Sequence, residues 1–197
     1  MTIVLEGHAG HAGTMVHGRR RDALAGAAEI ILQIEKIGRE TAGLFATVGN
    51  VQASPGLSNV ISGRAELWLD LRHESDEVRL ASFEKIMAAV NSIATSRGLD
   101  AHVASPQQSP ATQMDPKLSR HLEGSIQAAG LPVESLVSGA GHDAMIMARM
   151  TSACMLFVRC RGGIAHHPDE YVALDDIRVA LDVVVQSLIR ISNTMGQ

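Results

Sequence analysis

Apolar and polar positions along this chain change period several times, and the changes outline its elements. Residues 2–6 are β-branched and alternating, which predicts a short strand running into a glycine-rich segment. Residues 20–37 then place Ala23, Leu24, Ala27, Ile30, Ile31 and Ile34 three and four apart, predicting an amphipathic helix that ends near Gly38. Segments 44–51 and 65–71 read as strands on either side of the turn-forming Ser54-Pro55-Gly56. Ser75 is a helix cap, with Asp76 and Glu77 placed well against the helix dipole. Val78, Phe83, Ile86, Met87, Val90 and Ile93 supply that helix's buried face, Gly98 ends it, and 101–104 forms a fourth strand.

The resulting order, β-α-β-β-α-β, is the split βαβ arrangement: a ferredoxin-like, four-stranded antiparallel sheet covered on one face by two helices. Polar residues 105–114 mark a boundary, so we divide the chain into domains 1–113 and 114–197. In the second part, Asp115-Pro116 starts a helix that closes at Gly130. A glycine turn at 138–144 leads into a helix through Met150, and the apolar run 154–158 predicts a strand buried on both faces. Asp175 caps a last helix with the stripe Ile177, Ala180, Leu181, Val184, Val185, Leu188 and Ile191. Helix and strand alternate here, as in an α/β layered domain.

Composition narrows the function classes. A hydrophobic fraction of 46% over 197 residues supports a real core, and 3% aromatics leaves it to aliphatic residues. The net charge of -4, with no basic cluster larger than Arg19-Arg20-Arg21, argues against nucleic-acid binding. No apolar run has transmembrane length and no signal-peptide pattern is present. Cys154 and Cys160 read as free thiols in a reducing compartment, so a cytoplasmic location is expected.

The chemistry concentrates in two glycine-framed, histidine-bearing islands far apart in sequence. Gly7-His8-Ala9-Gly10-His11-Ala12-Gly13-Thr14, closing on Arg20-Arg21-Asp22-Ala23, lies near one end; Gly162-Gly163-Ile164-Ala165-His166-His167-Pro168-Asp169-Glu170 lies near the other. Glycine permits sharp turns and close backbone approach, and histidine supplies a neutral metal ligand or a group titrating near neutrality. Between them stand Asn59, Ile61, Gly63, Asp70 and Arg72, and the run Ser138-Gly139-Ala140-Gly141-His142-Asp143-Ala144.

In this order the four motifs resemble the dinuclear-metal amidohydrolases that include allantoate amidohydrolase, N-carbamoyl-L-amino acid hydrolase and β-ureidopropionase, within the aminoacylase- and carboxypeptidase-like metallopeptidases. The resemblance covers nearly the whole chain but only the C-terminal half of such proteins. It implies that 1–113 is a lid and dimerisation domain, and that 114–197 is the C-terminal part of an α/β zinc-peptidase-like catalytic domain. Two divalent metals, Mn2+ or Zn2+ with Co2+ or Ni2+ as alternatives, are implied for the whole enzyme, with His166 as the ligand present here. Glu170 is then a supporting group that orients His166 or its loop. His11 is implied to stabilise the charged oxygen formed when water attacks the carbonyl, in the partner subunit of a homodimer. By the same resemblance Asn59 and Arg72 are implied to hold the substrate carboxylate, and Gly139 and Ala140 to lie in the substrate pocket. The implied substrate is a small carbamoyl or ureido compound bearing a carboxylate, cleaved at a linear C–N bond. Upstream ligands, a Glu-Glu pair among them, have no counterpart in this sequence. The chain is therefore expected to be a fragment or a truncated relative, inactive by itself. An aminoacylase or dipeptidase, or a non-catalytic dimerisation module, are the alternatives.

Overall fold

The computed structural model describes residues 1–106 and 108–195. The chain divides into two compact units, Met1–Ala111 and Thr112–Gln197.

The first unit is built on four antiparallel strands in the order β3-β5-β1-β6. These are β1 (Thr2–Glu6), β3 (Phe45–Ser54), β5 (Arg64–Arg72) and β6 (Asp100–Ser105). A two-stranded ribbon of β2 (Gly10–His11) and β4 (Val60–Ile61) lies beside it. Helices α1 (Ala23–Glu40) and α2 (Asp76–Arg97) complete the expected β-α-β-β-α-β order of main elements. Alternation along the central strands sends Ile3 and Leu5 of β1, with Ala65, Leu67 and Leu69 of β5, to the helical face. There they meet Ala27, Ile30 and Ile34 of α1 and Ile86, Val90 and Ala94 of α2 in one continuous core. β3 is one residue longer than β5, and the excess is absorbed where the register shifts between Val48 and Asn50, a bulge at Gly49.

Local chemistry sets the helix ends. Asp22 accepts the Leu24 and Ala25 N–H groups and so starts α1 three residues later than the periodicity predicts. Gly38 does not stop α1, which continues to Glu40. A Cβ on Gly38 would lie 3.3 Å from Ala46 Cβ, so glycine there lets the helix approach β3 closely. Ser75 caps α2 and Gly98, at φ 65°, closes it, as expected. The charged Arg79 is buried on α2 because its guanidinium is held by Asp76, which also accepts the Ala111 N–H.

The second unit contains α3 (Pro116–Ala128), α4 (Asp143–Met147) and α5 (Leu174–Met195). Asp115 caps α3 through the N–H groups of Lys117 and Leu118, with Pro116 at the first helical position. α3 packs on α5, where Ser125, Val183 and Ser187 are buried. Both serine hydroxyls donate to carbonyls one turn back, so they are satisfied inside their own helices. Three expectations are corrected here. The helix expected to run to Met150 ends at Met147. α5 begins at Leu174 rather than being capped by Asp175, which instead lies in its first turn. The strand expected at 154–158 is absent: no described residue of this unit belongs to a strand, and Phe157 and Val158 are exposed. An extended segment becomes a ladder strand only with a hydrogen-bonded neighbour, and among the described residues none pairs with it.

The tightest backbone approach in the first unit is at Gly7, where a Cβ would sit 2.0 Å from the Arg21 carbonyl oxygen and 2.8 Å from Leu99 Cδ2. Gly7→Ala is expected to lower unfolding stability by about 2–3 kcal/mol in urea titrations, the cost of forcing an atom into packed space. Gly18→Ala, with nothing within 4 Å, is the control. Equal midpoints for the two variants would contradict the assignment.

Candidate functional site

Backbone hydrogen bonds at the end of β1 shape the first island. Gly7 N–H donates to Gly63 O (2.8 Å), His8 N–H to Arg21 O (2.9 Å), and Ala23 N–H to Ser62 O (2.9 Å). These bonds carry the chain from β1 into the β2–β4 ribbon, which pairs Gly10 with Ile61 and His11 with Val60. Ala12 N–H then donates to Asn59 O at 2.9 Å. His11 and Asn59, 48 positions apart, are thereby neighbours. The chain next makes a tight turn, in which Thr14 and Met15 donate their N–H groups to His11 O at 3.2 and 3.1 Å.

The turn also fixes the chemistry of His11. Gly13 N–H donates to His11 Nδ1 at 3.1 Å, so Nδ1 carries a lone pair and the neutral ring keeps its proton on Nε2. The exposed imidazole is therefore a donor at Nε2, the form suited to a developing negative oxygen.

Arg72 ends β5. Its Nε donates to Asp70 Oδ1 at 2.7 Å and its Nη2 to Asp70 Oδ2, a two-pronged pair. Arg72 hydrogen bonding holds the Asp70 carboxyl below the ordinary aspartate range, and Asp70 in turn raises the guanidinium. Asp70 stands in the sequence motif, but its role as the brace of Arg72 is visible only in the fold. In the register Arg72 faces Phe45, near the start of β1, where Met1 and Leu69 exchange backbone hydrogen bonds. The His11–Asn59 ribbon adjoins the other end of β5. The eight steps of ~3.3 Å along the 9 residues of β5 put roughly 25 Å between the two ends. Within one chain, then, Arg72 is not brought to Asn59 or His11.

The second island is an exposed loop tied at its base, where Arg161 N–H donates to Tyr171 O (2.9 Å) and the guanidinium of Arg161 lies 5.0 Å from the Tyr171 ring centroid. Gly162 and Gly163 have φ of 69° and 66°, and His166 lies at 58°. Among the described residues His166 is the only non-glycine with positive φ, a conformation that costs energy and concentrates at functional positions. Glu170 braces this turn by accepting the His166 backbone N–H at 3.0 Å. It thus acts on the loop, not on the imidazole ring.

Gly139 and Ala140 are exposed and precede α4, which begins only at Asp143. Ala140 N–H donates to Ser138 Oγ (3.2 Å), and that hydroxyl is 2.7 Å from His142 Nε2. His142 also packs edge-on against Phe157. The segment is thus a braced turn ahead of α4. Burial pushes the Cys154 thiol up, which keeps it protonated at neutral pH; Cys154 and Cys160 are both free. Among the described residues no three His, Cys, Asp or Glu side chains cluster to hold a metal ion. No helix among them is long and apolar enough to cross a membrane.

The Asp70–Arg72 pair has a definite pH signature. Because the folded pKa of Asp70 is lowered, the pair's contribution to stability is present above the unfolded aspartate value (about 4) and is lost as pH falls through the folded one. Arg72→Ala is expected to move the Asp70 carboxyl upward in carbon-13 NMR titrations. An unchanged titration would contradict the pairing.

Comparison with known proteins agrees with this architecture. Residues 5–190 match the peptidase family M20/M25/M40. The chain is 37% identical to an N-carbamoyl-L-amino-acid amidohydrolase of a Pseudomonas species, over 95% of this chain and 46% of that protein. It is 31% identical to an allantoate amidohydrolase of Bacillus subtilis, over 96% and 46% respectively. The crystal structure of an amidase of the hydantoinase/carbamoylase family from Burkholderia vietnamiensis superimposes with a TM-score of 0.88 at 31% identity, covering 96% of this chain and 46% of that one. The chain spans about half the length of these relatives. By motif order, fold and these matches, the chain belongs to peptidase family M20/M25/M40.

Proposed function

We propose that the whole protein hydrolyses the C–N bond of small N-carbamoyl or ureido compounds that carry a carboxylate, such as N-carbamoyl-L-amino acids or allantoate. The observation that carries this reading is the ribbon that seats an exposed His11 beside Asn59 with Nδ1 held by the Gly13 N–H. A fixed neutral donor is what an attacked carbamoyl oxygen needs as charge builds on it. Asn59 offers a neutral donor to the substrate carboxylate. Arg72, its plane held by Asp70, supplies the positive charge that matches that carboxylate. The relatives named for N-carbamoyl amino acids and allantoate support the substrate class.

His166 is this chain's candidate ligand for a divalent-metal pair, and its strained turn braced by Glu170 supports that role. One imidazole does not hold two ions, so the remaining ligands would lie in the half of the relatives' length that this chain does not span. The roughly 25 Å between Arg72 and the His11–Asn59 ribbon supports a homodimer through the first unit, in which the two ends of one lid serve different subunits' sites.

Full-length protein supplied with Mn2+ is expected to release ammonia from allantoate or N-carbamoyl amino acids and to leave dipeptides and N-acyl amino acids intact. His11→Ala should lower kcat by about 10²–10³-fold with little change in KM, the loss of one oxyanion donor. Arg72→Ala should act mainly on KM. The 197-residue chain alone is expected to be silent. Preferential dipeptide cleavage would replace this reading with a peptidase, and metal-free, inactive full-length protein with a dimerisation module.

A further inference from the structure

We propose that Arg20 is the positioning residue that presents His11, acting through the turn between them; this rests on the reading of His11 as the donor to the substrate oxygen. Arg20 is half-buried against that turn. Its Nη2 donates to Ala12 O at 2.7 Å and its Nε donates to Met15 O at 3.0 Å. Those carbonyls mark the two ends of the turn 12–15. The N–H groups between them converge on His11: Gly13 on Nδ1, Thr14 and Met15 on the carbonyl. Arg20 therefore clamps the same turn that sets the imidazole's tautomer.

The clamp has a rigid mount. The next residue, Arg21, receives His8 N–H on its carbonyl and sends its own guanidinium the other way, to Gly98 O and to Asp100 Oδ2 at 2.9 Å. Asp22 then caps α1. Three consecutive residues thus fasten the catalytic turn, the α2–β6 corner and the start of α1 to one point. Arginine is required at the first of them by geometry: two carbonyls three residues apart are spanned by a planar fork with donors at fixed separation. Lysine offers a single ammonium on a flexible stem. Without the fork both carbonyls are released to water, the turn opens, and Gly13 N–H loses its hold on Nδ1.

The hydrogen bond from Gly13 to Nδ1 is directly observable as a through-hydrogen-bond nitrogen–nitrogen coupling in nitrogen-15-labelled chain. The wild-type chain is expected to show this coupling with the Nε2–H tautomer. Arg20→Ala and Arg20→Lys are expected to lose it while the amide spectrum of the sheet stays folded; Arg19→Ala, at an exposed neighbour, keeps it. In the full-length protein Arg20→Lys should lower kcat by about 10²-fold, the scale of a 1 Å misplacement, with KM near wild type. Coupling retained in both Arg20 variants would overturn the proposal. The two readings fail separately: coupling lost in the Arg20 variants with full activity in His11→Ala would keep the clamp and remove the catalytic role of His11.

Discussion

The contact between Gly7 and the backbone of Arg21 is the constraint on which the exposed end of the first unit depends. It lets β1 pass directly under the residues that lead into α1, at a distance no side chain tolerates. His8 then bonds Arg21 O, Gly7 bonds Gly63 O and Ala23 bonds Ser62 O, so three segments distant in sequence are locked at one point. The β2–β4 ribbon extends from that lock, and with it His11 and Asn59. Below it, the apolar core of β1, β5, α1 and α2 supplies a rigid base. The side chain proposed to meet the substrate oxygen is thus carried on elements that cannot move independently.

The two islands illustrate different routes to precision. At His11 the backbone has ordinary φ, and order comes from hydrogen bonds converging on the ring and carbonyl. At His166 it comes from a strained backbone, made possible by two left-handed glycines before it and a carboxylate closing the turn behind it. Arg72 shows a third device, a carboxylate two residues away that fixes the plane of the guanidinium.

Much of this was legible in the sequence where signals were long. The stripe of α1, the cap at Ser75, the Asp115-Pro116 start and the four main strands accord with periodicity and capping rules, whereas α2 buries Arg79, Ser82 and Ala94 beside the expected Ile86 and Val90 and leaves Val78 and Phe83 half-buried. The β2–β4 ribbon was not legible, because two residues per strand carry no period, yet it decides which site residues meet. Gly38 reads as a stop in sequence but is a spacer against Ala46. The run 154–158 has a strand's composition and no described partner, so pattern alone overstated it. His11, Asn59, Arg72 and His166 stand out as candidates through motif order. That Asn59 sits with His11 and apart from Arg72 needed the register, and the role of Arg20 needed its side-chain direction. The adjacency Arg20-Arg21-Asp22 was the only trace of it.

The central claim is that one lid carries parts of two sites, His11 with Asn59 at one end and Arg72 at the other. Subunit complementation in the full-length protein tests it most directly. His11→Ala and Arg72→Ala dimers, each impaired alone, are mixed and allowed to exchange subunits. Half the dimers are then mixed, and each holds one site with both residues intact, so the account predicts about a quarter of wild-type turnover. Turnover that stays at the level of the parent variants would mean that both residues serve the same site from one chain, and would contradict it.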